Sequence, residues 1–392
     1  MIRAAYDIVV IGAGPAGSIA ARTCAQAGLR VLLAEKRQEI GSPVRCGEAV
    51  GRETVEKFIP ADSKWIAAEI DTFSVSNPQG DTVVMPPLEH TLILERKIFD
   101  RELAFSAAQA GAEVIVKARA TGLITNERGV AGVKLVVQGQ PHEVRAPIVI
   151  GADGTEAQST RWAGLKSIPQ LRDYYTAAQY LLTDVEVDPR ICQYHIGWSL
   201  APGGYAWVFP KGNQKANLGL VMWVDPQERR SAIDYLNDFV AQRFPSRSIL
   251  AQIVGGIPVT NVLPEMVTGG YLAIGDAAHQ SDPLTAGGIT NGMHGGLFAA
   301  QTAIAALQAG DVSRKFLHRY EAQWEAEFGK LYRRLHRIRH AVLKVPEEKM
   351  SRMIHDAAQL DSRHMSLKDL FFIALKAHPQ LLLEAGPYFL GQ

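Results

Sequence analysis

The sequence has little of what marks several common classes of protein. Its 392 residues carry 41 Lys and Arg against 40 Asp and Glu, and a formal net charge of +1 does not favour nucleic acid as a partner. The three cysteines, Cys24, Cys46 and Cys192, are too few and too scattered for a disulfide scaffold or a Cys-x-x-Cys metal site. We therefore expect a protein of a reducing compartment, with no metal and no nucleic acid bound.

Long apolar runs are also missing. The run at residues 370–375 is far shorter than the roughly 20 apolar residues that a membrane span needs. The first predicted strand begins at Tyr6, which leaves no room for a signal peptide before it. The sequence thus predicts a cytoplasmic globular protein of two or three domains.

A glycine-rich turn joins a strand to a helix near the N-terminus. The apolar run 6–11 leads into Gly12, Gly14 and Gly17, and an Ala-rich helical stretch follows. These glycines permit a tight turn, a close approach to a pyrophosphate and close packing of helix on strand. Glu35 ends the next strand 18 residues after Gly17, near the spacing at which an acid binds the adenosine ribose. The pattern predicts a dinucleotide site, for NAD or for FAD.

A second segment decides in favour of FAD. The strand predicted at residues 271–274 ends in Gly275 and Asp276, and this segment resembles the one with which flavoproteins of the glutathione-reductase and aromatic-hydroxylase type hold the ribityl chain. The resemblance assigns Asp276 to a ribityl hydroxyl. Backbone N–H groups in the stretch 283–289 are expected to face the flavin N1 and O2 edge and to stabilise negative charge there. Arg96 and the Asp-Gly pair at Asp153 resemble two further segments of the hydroxylases.

These motifs predict the fold class as well. We expect an α/β protein, in which a discontinuous Rossmann-like FAD-binding domain is interrupted by a substrate domain with an antiparallel sheet. The predicted ranges are 1–60, 90–165 and 265–310 for the FAD-binding domain, 61–89 and 166–264 for the substrate domain, and 311–392 for a helical C-terminal region. A fold of this kind binds its substrate at the domain junction.

Two segments address the reaction. Arg45, Cys46 and Gly47 follow the ribose acid and are expected to lie along the cofactor. The second segment, 202–210, is a short strand bracketed by prolines. Its alternation places Tyr205, Trp207 and Phe209 on one face, where they would form an apolar wall. Aromatic residues also favour strands and fill cores, so core packing is the competing interpretation of this face.

Taken together, the Arg-Cys-Gly-Glu segment, the Pro-x-x-Tyr-x-Trp-x-Phe-Pro strand and Gly-Asp-Ala-Ala-His resemble the geranylgeranyl reductase family, especially its archaeal members that saturate membrane-lipid chains. The resemblance runs in order from residue 6 to about residue 300, and no motif matches after that. It implies a pocket made of Tyr205, Trp207 and Phe209, with Cys46, Tyr205 and Trp207 as catalytic residues. The cofactor-binding residues that we expect are Gly12, Gly14, Ala16, Gly17, Glu35, Lys36, Arg45, Cys46, Gly47, Arg96, Asp153, Gly275, Asp276, Gly287, Gly288 and Ile289.

The family implies that reduced FAD saturates isolated C=C bonds of geranylgeranyl chains. An isolated alkene is a poor hydride acceptor because no carbonyl stores the negative charge, so protonation must lead or accompany hydride transfer from flavin N5. The transition state should resemble a carbocation, which Tyr205 and Trp207 would stabilise by about 2 kcal/mol when desolvated. Cys46 has three open roles, as proton donor, as redox partner or as a residue that shapes the pocket.

The C-terminal region suggests a membrane contact. From Leu317 to Val342, apolar residues recur at spacings of three and four, as in one amphipathic helix. Between Arg314 and Lys344 there are nine Lys or Arg against three Glu. Such a helix would rest on an anionic membrane surface, at the inner face of the membrane, or else pack on the FAD domain with its charged face in solvent.

Two other functions compete with the prenyl reductase. One is an FAD-dependent monooxygenase of the aromatic-hydroxylase type, which shares the cofactor motifs but has neither the Cys46 segment nor the Tyr205 strand. The other is a non-catalytic prenyl-binding carrier that resembles the Rab GDP-dissociation inhibitors. The electron donor stays open between reduced ferredoxin and NAD(P)H, because the sequence contains no second Gly-x-Gly-x-x-Gly segment.

Overall fold

The chain forms two compact units. A computed structural model describes residues 2–359 except for residues 88 and 226. Unit 1 contains the residues up to Pro43 together with Arg96–Pro169 and Pro258–Arg333, and unit 2 contains Val44–Glu95, Gln170–Ile257 and the residues from Arg334 on. Residues 44–60 thus cluster with unit 2, and the C-terminal region is shared between both units. The functional domains assigned above stay a prediction.

Nineteen strands form four sheets in the part of the chain that is described. The strands are β1 (Ile8–Ile11), β2 (Val31–Ala34), β3 (Ala49–Gly51), β4 (Ile66–Ile70), β5 (Thr72–Ser76), β6 (Thr82–Met85), β7 (Thr91–Leu94), β8 (Glu113–Ile115), β9 (Ala118–Asn126), β10 (Gly129–Val137), β11 (Gln140–Arg145), β12 (Ile148–Gly151), β13 (Tyr174–Thr183), β14 (Ile191–His195), β15 (Tyr205–Pro210), β16 (Ala216–Trp223), β17 (Ser248–Pro258), β18 (Val267–Thr268) and β19 (Tyr271–Ala273).

The helices over the same residues are α1 (Pro15–Gln26), α2 (Arg52–Glu56), α3 (Arg96–Gln109), α4 (Gln158–Trp162), α5 (Ala232–Arg243), α6 (Ile289–Ala309), α7 (Arg314–Trp324), α8 (Lys330–Val342) and α9 (Glu347–Ala358). Short 3₁₀ turns occur at Gly154–Glu156, Leu171–Asp173 and Gly275–Ala278. A π-helical turn, Glu325–Gly329, joins α7 to α8.

Unit 1 is built on a six-stranded sheet in the order β18-β19-β12-β1-β2-β8. Its strand pairs are parallel except for the edge pair β18 and β19. Strands β1, β2 and β12 are buried at every position because α1 and the strands β9 and β10 pack against them, and this is why they consist of continuous apolar runs. A three-stranded sheet, β11-β10-β9, completes the strands of this unit.

The two glycine-rich motifs of unit 1 lie side by side because α1 packs closely against α6. A Cβ on Gly296 would lie 2.3 Å from the carbonyl oxygen of Ala16, and one on Gly292 would lie 3.4 Å from the Ala16 Cβ. Only glycine allows this approach at position 296. The packing brings the N-terminal end of α1 close to the first turn of α6.

Unit 2 contains a seven-stranded sheet in the order β17-β13-β16-β15-β14-β5-β6. The pairs from β13 to β14 are antiparallel, as predicted, whereas β14 pairs with β5 in parallel. Helix α5 packs on one face of the sheet, where Val208, Leu218 and Leu220 are buried with Leu236. A small sheet, β3-β7-β4, belongs to the same unit.

The C-terminal helices differ from the single amphipathic helix that the sequence predicts. Leu317, Tyr320 and Trp324 are buried on α7, as the apolar stripe predicts. The π-helical turn then shifts the register, so that Tyr332 and Arg339 are the buried residues of α8, and a single continuous stripe is wrong. The predicted helical region continues to residue 392, but its part from residue 360 on, including the apolar run 370–375, lies outside the described residues. Among residues 2–359, apart from 88 and 226, no helix has the length and apolar character to span a membrane.

Candidate active site

The turn between β1 and α1 is shaped by backbone contacts. Gly12 has φ +103°, and a Cβ there would lie 2.3 Å from the carbonyl oxygen of Ala152. A Cβ on Gly17 would lie 2.0 Å from the oxygen of Gly12, so the first turn of α1 packs directly on the loop. Around the Cβ position of Gly14, by contrast, no heavy atom lies within 4 Å. The turn is rigid on its inner side and open at Gly14.

Glu35 stabilises this turn from the end of β2. Its Oε2 accepts a hydrogen bond of 3.0 Å from the N–H of Ala13, and its Oε1 accepts one of 2.9 Å from the N–H of Arg37. The neighbouring Lys36 forms an ion pair of 2.7 Å with Glu156. Glu35 therefore combines a structural contact with the position of a ribose-binding acid.

Asp276 lies in the 3₁₀ turn after β19 and faces the start of α6. A Cβ on Gly288 would lie 3.2 Å from its Oδ1. Burial raises the pKa of Asp276, and the charge of Arg96 opposes that rise. Within residues 2–359, excluding 88 and 226, no residue forms a hydrogen bond with its side chain. A partly buried carboxyl without such a partner fits a ligand that brings hydroxyl groups.

The other cofactor candidates of unit 1 have local contacts. Arg96 binds Asp100 through two hydrogen bonds of 2.7 and 2.9 Å. Both carboxylate oxygens of Asp153 accept from Ser159, one from its N–H and one from its hydroxyl, at 2.8 Å. Gly287 is exposed, and Gly288 and Ile289 begin α6. The contacts of all these residues with FAD stay a prediction.

In unit 2, the segment Cys46 to Glu48 forms a tightly held turn. Glu48 has φ +74°, which is unusual for a residue with a side chain. Its N–H donates to the Sγ of Cys46 at 3.2 Å, and its carbonyl accepts from the N–H of Leu94 at 2.9 Å. Cys46 is half-buried, whereas Arg45 is exposed. Cys24 and Cys192 are buried, and burial raises the pKa of each of these two thiols.

A buried ion pair anchors this turn. The Nζ of Lys211 lies 2.6 Å from the Oε2 of Glu48, and the two side chains are 4% and 3% exposed. Lys211 also donates to the carbonyl of Leu94 at 2.9 Å and lies 3.2 Å from a carboxylate oxygen of Glu95. The Nδ2 of Asn217 donates to the same Glu48 oxygen. Lys211 and Asn217 therefore hold the buried Glu48 carboxylate, and the lysine compensates its charge.

An aromatic wall lies on the sheet face opposite α5. We use this name for Tyr194, Tyr205, Trp207 and Phe209. Consecutive rings on β15 have centroids 6.0 Å apart, and Tyr194 on β14 contacts Tyr205 at 5.9 Å and Phe209 at 5.4 Å. Burial raises the pKa of Tyr194 well above its ordinary value, so its phenol stays neutral. The shared face predicted for the β15 residues is confirmed.

Two glycines allow neighbouring segments to pack closely on the aromatic wall. A Cβ on Gly219 would lie 2.3 Å from the Trp207 ring, so the ring lies directly over this position of β16. A Cβ on Gly47 would lie 3.1 Å from the Phe209 ring and 3.4 Å from the Nε1 of Trp207. The turn at Cys46 therefore packs on the wall. The buried Nε1–H of Trp207 has no hydrogen-bond partner within the described part of the chain.

Comparison with known proteins agrees with this arrangement. The model of the geranylgeranyl reductase catalytic domain matches residues 173–257, and that of the FAD dependent oxidoreductases matches residues 7–166. The digeranylgeranylglycerophospholipid reductase of Methanocella arvoryzae is 43% identical over 98% of this chain and 99% of its own length. That of Methanosarcina mazei is 43% identical over 98% and 96%. The chain belongs to the geranylgeranyl reductase family.

Solved structures support the same family and fold. A geranylgeranyl bacteriochlorophyll reductase-like protein from Thermoplasma acidophilum has a TM-score of 0.91 and 34% identity, with 97% of this chain and 98% of that chain covered. The flavin-dependent brominase Bmp2 has a TM-score of 0.69 at 20% identity, over 96% of this chain and 99% of its own, and this likeness concerns the fold alone.

Three predictions are thereby confirmed: the geranylgeranyl reductase family, the α/β fold class and FAD as the cofactor. The open approach at Gly14 and the partly buried Asp276 carboxyl fit FAD in unit 1. The predicted cofactor residues fall in both units. Arg45, Cys46 and Gly47 belong to unit 2, and the others belong to unit 1. The individual roles of the site residues stay predictions.

Sequence reasoning missed Lys211, Asn217 and Tyr194. Lys211 directly follows the proline that ends β15, where a lysine ordinarily indicates a solvent-exposed strand end. Its burial depends on Glu48, which is 163 residues away. A weak signal was present, since Asn217 interrupts the otherwise apolar strand β16, and a polar residue in such a strand needs a buried partner.

Proposed function

We propose that this member of the geranylgeranyl reductase family saturates isolated C=C bonds of geranylgeranyl chains on glycerophospholipids, with FAD as its cofactor. The observation that carries the proposal is the packing of the Cys46 turn on the aromatic wall within unit 2. A thiol and an apolar wall are thereby held together. The printed names of the curated relatives support the lipid class.

The wall suits a prenyl chain because it offers rings instead of hydrogen-bonding groups. Tyr205 is half-buried, and Trp207 and Phe209 are 6% and 5% exposed. A geranylgeranyl chain is recognised mainly by removal of its apolar surface from water, at roughly 25 cal/mol per Å². We assign Tyr205, Trp207 and Phe209 to the substrate pocket on this basis.

When bound, FAD supplies the hydride. The protein must then supply a proton to one carbon of the double bond and stabilise the positive charge that develops on the other. Tyr205 and Trp207 present ring faces for this charge, and an aromatic face within about 6 Å of a desolvated cation contributes about 2 kcal/mol. An apolar surrounding would also keep water from capturing the cation.

Cys46 is our candidate for the residue that delivers the proton. It is the half-buried thiol of the three, and its Sγ is positioned by the N–H of Glu48. Lys211 and Asn217 fix Glu48 and are therefore positioning residues of this site. In each reduction the alkene gains one proton and one hydride, and it gains no oxygen.

The test is an anaerobic turnover experiment in deuterated water. The FAD-loaded protein is reduced chemically and mixed with a digeranylgeranyl glycerophospholipid in detergent, and the product is analysed by mass spectrometry. We expect one hydrogen pair per double bond, with two solvent deuterium atoms per bond, because the N5 hydrogen of reduced flavin exchanges with water and the proton also comes from solvent. A product that gains an oxygen atom only when air and NADPH are admitted would instead identify the monooxygenase. A protein that binds the lipid without turning it over would be a carrier.

Substitution of Trp207 separates catalysis from binding. We expect Trp207→Ala to lower kcat by about 30-fold, which corresponds to the loss of about 2 kcal/mol of cation stabilisation. Trp207→Phe should retain most of the rate because a ring remains. Trp162→Phe, at an exposed position of unit 1, is the control. Parental kcat in Trp207→Ala at unchanged lipid binding would contradict the role.

We also propose two partners. Reduced ferredoxin or NAD(P)H delivers the electrons, and flavin bleaching after anaerobic addition of each donor distinguishes them. An anionic membrane surface contacts α8 through Arg334 and Arg337. On this helix Arg337 is exposed and Arg334 is partly buried, whereas Arg339 is buried. If Arg334→Gln/Arg337→Gln binds anionic liposomes as the parent does, the membrane contact is wrong.

A further inference from the structure

The C-terminal part of unit 2 contains a cluster of two histidines and one carboxylate that the reductase function does not use. His336 and His340 are one helical turn apart on α8, and Asp173 belongs to the 3₁₀ turn that precedes β13. The three residues offer ligand atoms that all lie within 4.8 Å of one another. We propose that Asp173, His336 and His340 bind a divalent first-row transition metal ion such as Zn²⁺.

The three ligand atoms form a nearly equilateral triangle. The Nε2 of His336 lies 3.0 Å from the Oδ1 of Asp173, the Nε2 of His340 lies 3.1 Å from the same oxygen, and the two nitrogens are 3.2 Å apart. Zinc binds His nitrogen and Asp oxygen at about 2.0–2.2 Å, so two adjacent ligands are about 2.8–3.6 Å apart at angles between octahedral and tetrahedral. All three sides of the triangle lie in this interval.

Hydrogen bonding alone does not account for the triangle. Each Nε2 carries at most one proton, so two protons at most are available for three short contacts. At least one side must then bring together two lone pairs or two N–H groups at 3.0–3.2 Å. A cation that accepts both imidazole lone pairs and one carboxylate lone pair makes every one of the three contacts favourable.

The surroundings keep the carboxylate in place but carry positive charge. Asp173 is 6% exposed and His336 and His340 are partly buried. The Nη1 of Arg339 approaches the Oδ1 of Asp173 to 3.5 Å without a hydrogen bond, and Nη2 donates to the carbonyl of Arg172 at 2.9 Å. The guanidinium therefore does not occupy a lone pair of this carboxylate oxygen. The nearby guanidinium favours moderate affinity.

A metal at this position would join α8 to the start of β13, elements that are far apart in the sequence. The same region is continuous with the segment that leads into β15. Arg339 lies over the ring of Tyr175 at 4.8 Å, and the hydroxyl of Tyr175 donates to the carbonyl of Gly203 at 3.1 Å. We therefore assign the site a structural role in unit 2. This inference does not rest on the proposed reductase function, and it replaces the expectation from the sequence that no metal is bound.

The test is a Zn²⁺ titration of the full-length, FAD-loaded protein after removal of metals with a chelator. We expect one equivalent of Zn²⁺ with a dissociation constant in the micromolar range or below. His336→Gln and His340→Gln should each weaken binding at least tenfold. His355→Gln is the matched control, because His355 also contacts a carboxylate, that of Asp81 at 3.1 Å, but has no second histidine.

Two further readouts keep the test independent of folding and of activity. Co²⁺ should give visible absorption bands in the parent and in His355→Gln that are absent from the other two variants. Micromolar Zn²⁺ should raise the Tm of the parent but not that of His340→Gln, whose side chain is 33% exposed, so its loss should be tolerated. The proposal is wrong if the parent binds no stoichiometric Zn²⁺, or if His336→Gln and His340→Gln bind it as tightly as the control.

Discussion

The predicted site in unit 1 depends on backbone conformation, whereas the one in unit 2 depends on side-chain contacts. In unit 1, the predicted FAD site consists mainly of backbone shape, with Gly12, Gly14 and Gly17 at the turn and the N-terminal end of α1 next to them. In unit 2, the proposed substrate site consists of side chains that come from separate segments of the chain, among them Glu48, Lys211 and the aromatic wall. Backbone shape depends on residues that are neighbours in the sequence. Side-chain clusters depend on the fold.

This difference predicts different responses to substitution. A site made of backbone should be damaged by one added methyl group where the chain is crowded. A site made of side chains should be damaged by removal of one partner of a buried pair. The four experiments below test the comparison, beginning with the largest expected effect.

We expect Gly12→Ala to have the largest effect. The methyl group would lie 2.3 Å from the carbonyl oxygen of Ala152 at a φ of +103°, and the loss of stability should reach about 4 kcal/mol or prevent folding. Gly14→Ala is the matched control, because its methyl group meets no atom within 4 Å. It should fold normally and bind FAD at least tenfold more weakly. Thermal unfolding and flavin content measure both effects, and equal Tm values for the two variants would contradict the crowding argument.

Lys211→Met should destabilise unit 2 by about 3–5 kcal/mol, because the Glu48 carboxylate would stay buried without its cation. Turnover should fall with it, while FAD content is retained. The double variant with Glu48→Gln should recover much of the stability. Lys64→Met, which removes an exposed ion pair with Asp62, is the control and should cost no more than about 1 kcal/mol. Urea unfolding measures all of these, and the comparison fails if both lysine variants are equally mild.

Asp276→Asn sharpens the comparison inside unit 1. We expect FAD affinity to fall about ten- to a hundredfold, because a charged hydrogen bond of about 1.5–3 kcal/mol is lost. In the protein without FAD, by contrast, we expect the same substitution to raise the free energy of unfolding. Burial raises the pKa of Asp276 in the folded state, with Arg96 opposing, so the folded chain holds this proton at pH values where the unfolded chain has released it.

The sign of the pH effect follows from this proton. The free energy of unfolding of the apoprotein should fall as the pH rises from the ordinary aspartate pKa of 3.8 through the raised one, and Asp276→Asn should remove this fall. Chemical unfolding of the apoprotein across acidic pH measures it. An unchanged pH profile together with unchanged FAD affinity would exclude Asp276 from the cofactor site.

The same difference between units explains what the sequence could predict. The β1–α1 turn, Glu35 and the Gly275–Asp276 segment were identified because each is a local pattern with a defined spacing. The face shared by Tyr205, Trp207 and Phe209 followed from the alternation of a strand. The family resemblance then supplied the cofactor and the reaction class, which local patterns alone left open.

What the sequence could not predict depends on long-range contacts. The burial of Lys211 requires Glu48 and Asn217, which come from other parts of the chain. The triangle of Asp173, His336 and His340 joins residues that no spacing rule connects. The π-helical turn at Glu325–Gly329 shifts the register of a stripe that looks continuous in the sequence.

The smallest expected effect concerns Gly219, where unit 2 also depends on backbone shape. A methyl group there would lie 2.3 Å from the Trp207 ring, so Gly219→Ala should tilt the ring and cost about 1–3 kcal/mol by overpacking. We expect kcat to fall about tenfold at unchanged FAD content, whereas Gly255→Ala, with no atom within 4 Å of its added methyl group, should match the parent. Combining Gly219→Ala with Trp207→Phe should restore part of the stability, because the smaller ring makes room while the carbonyl oxygen of Ala178 stays 2.8 Å from the added methyl group. If the double variant is no more stable than Gly219→Ala alone, the strain lies in the backbone of β16, and the aromatic wall does not depend on this glycine.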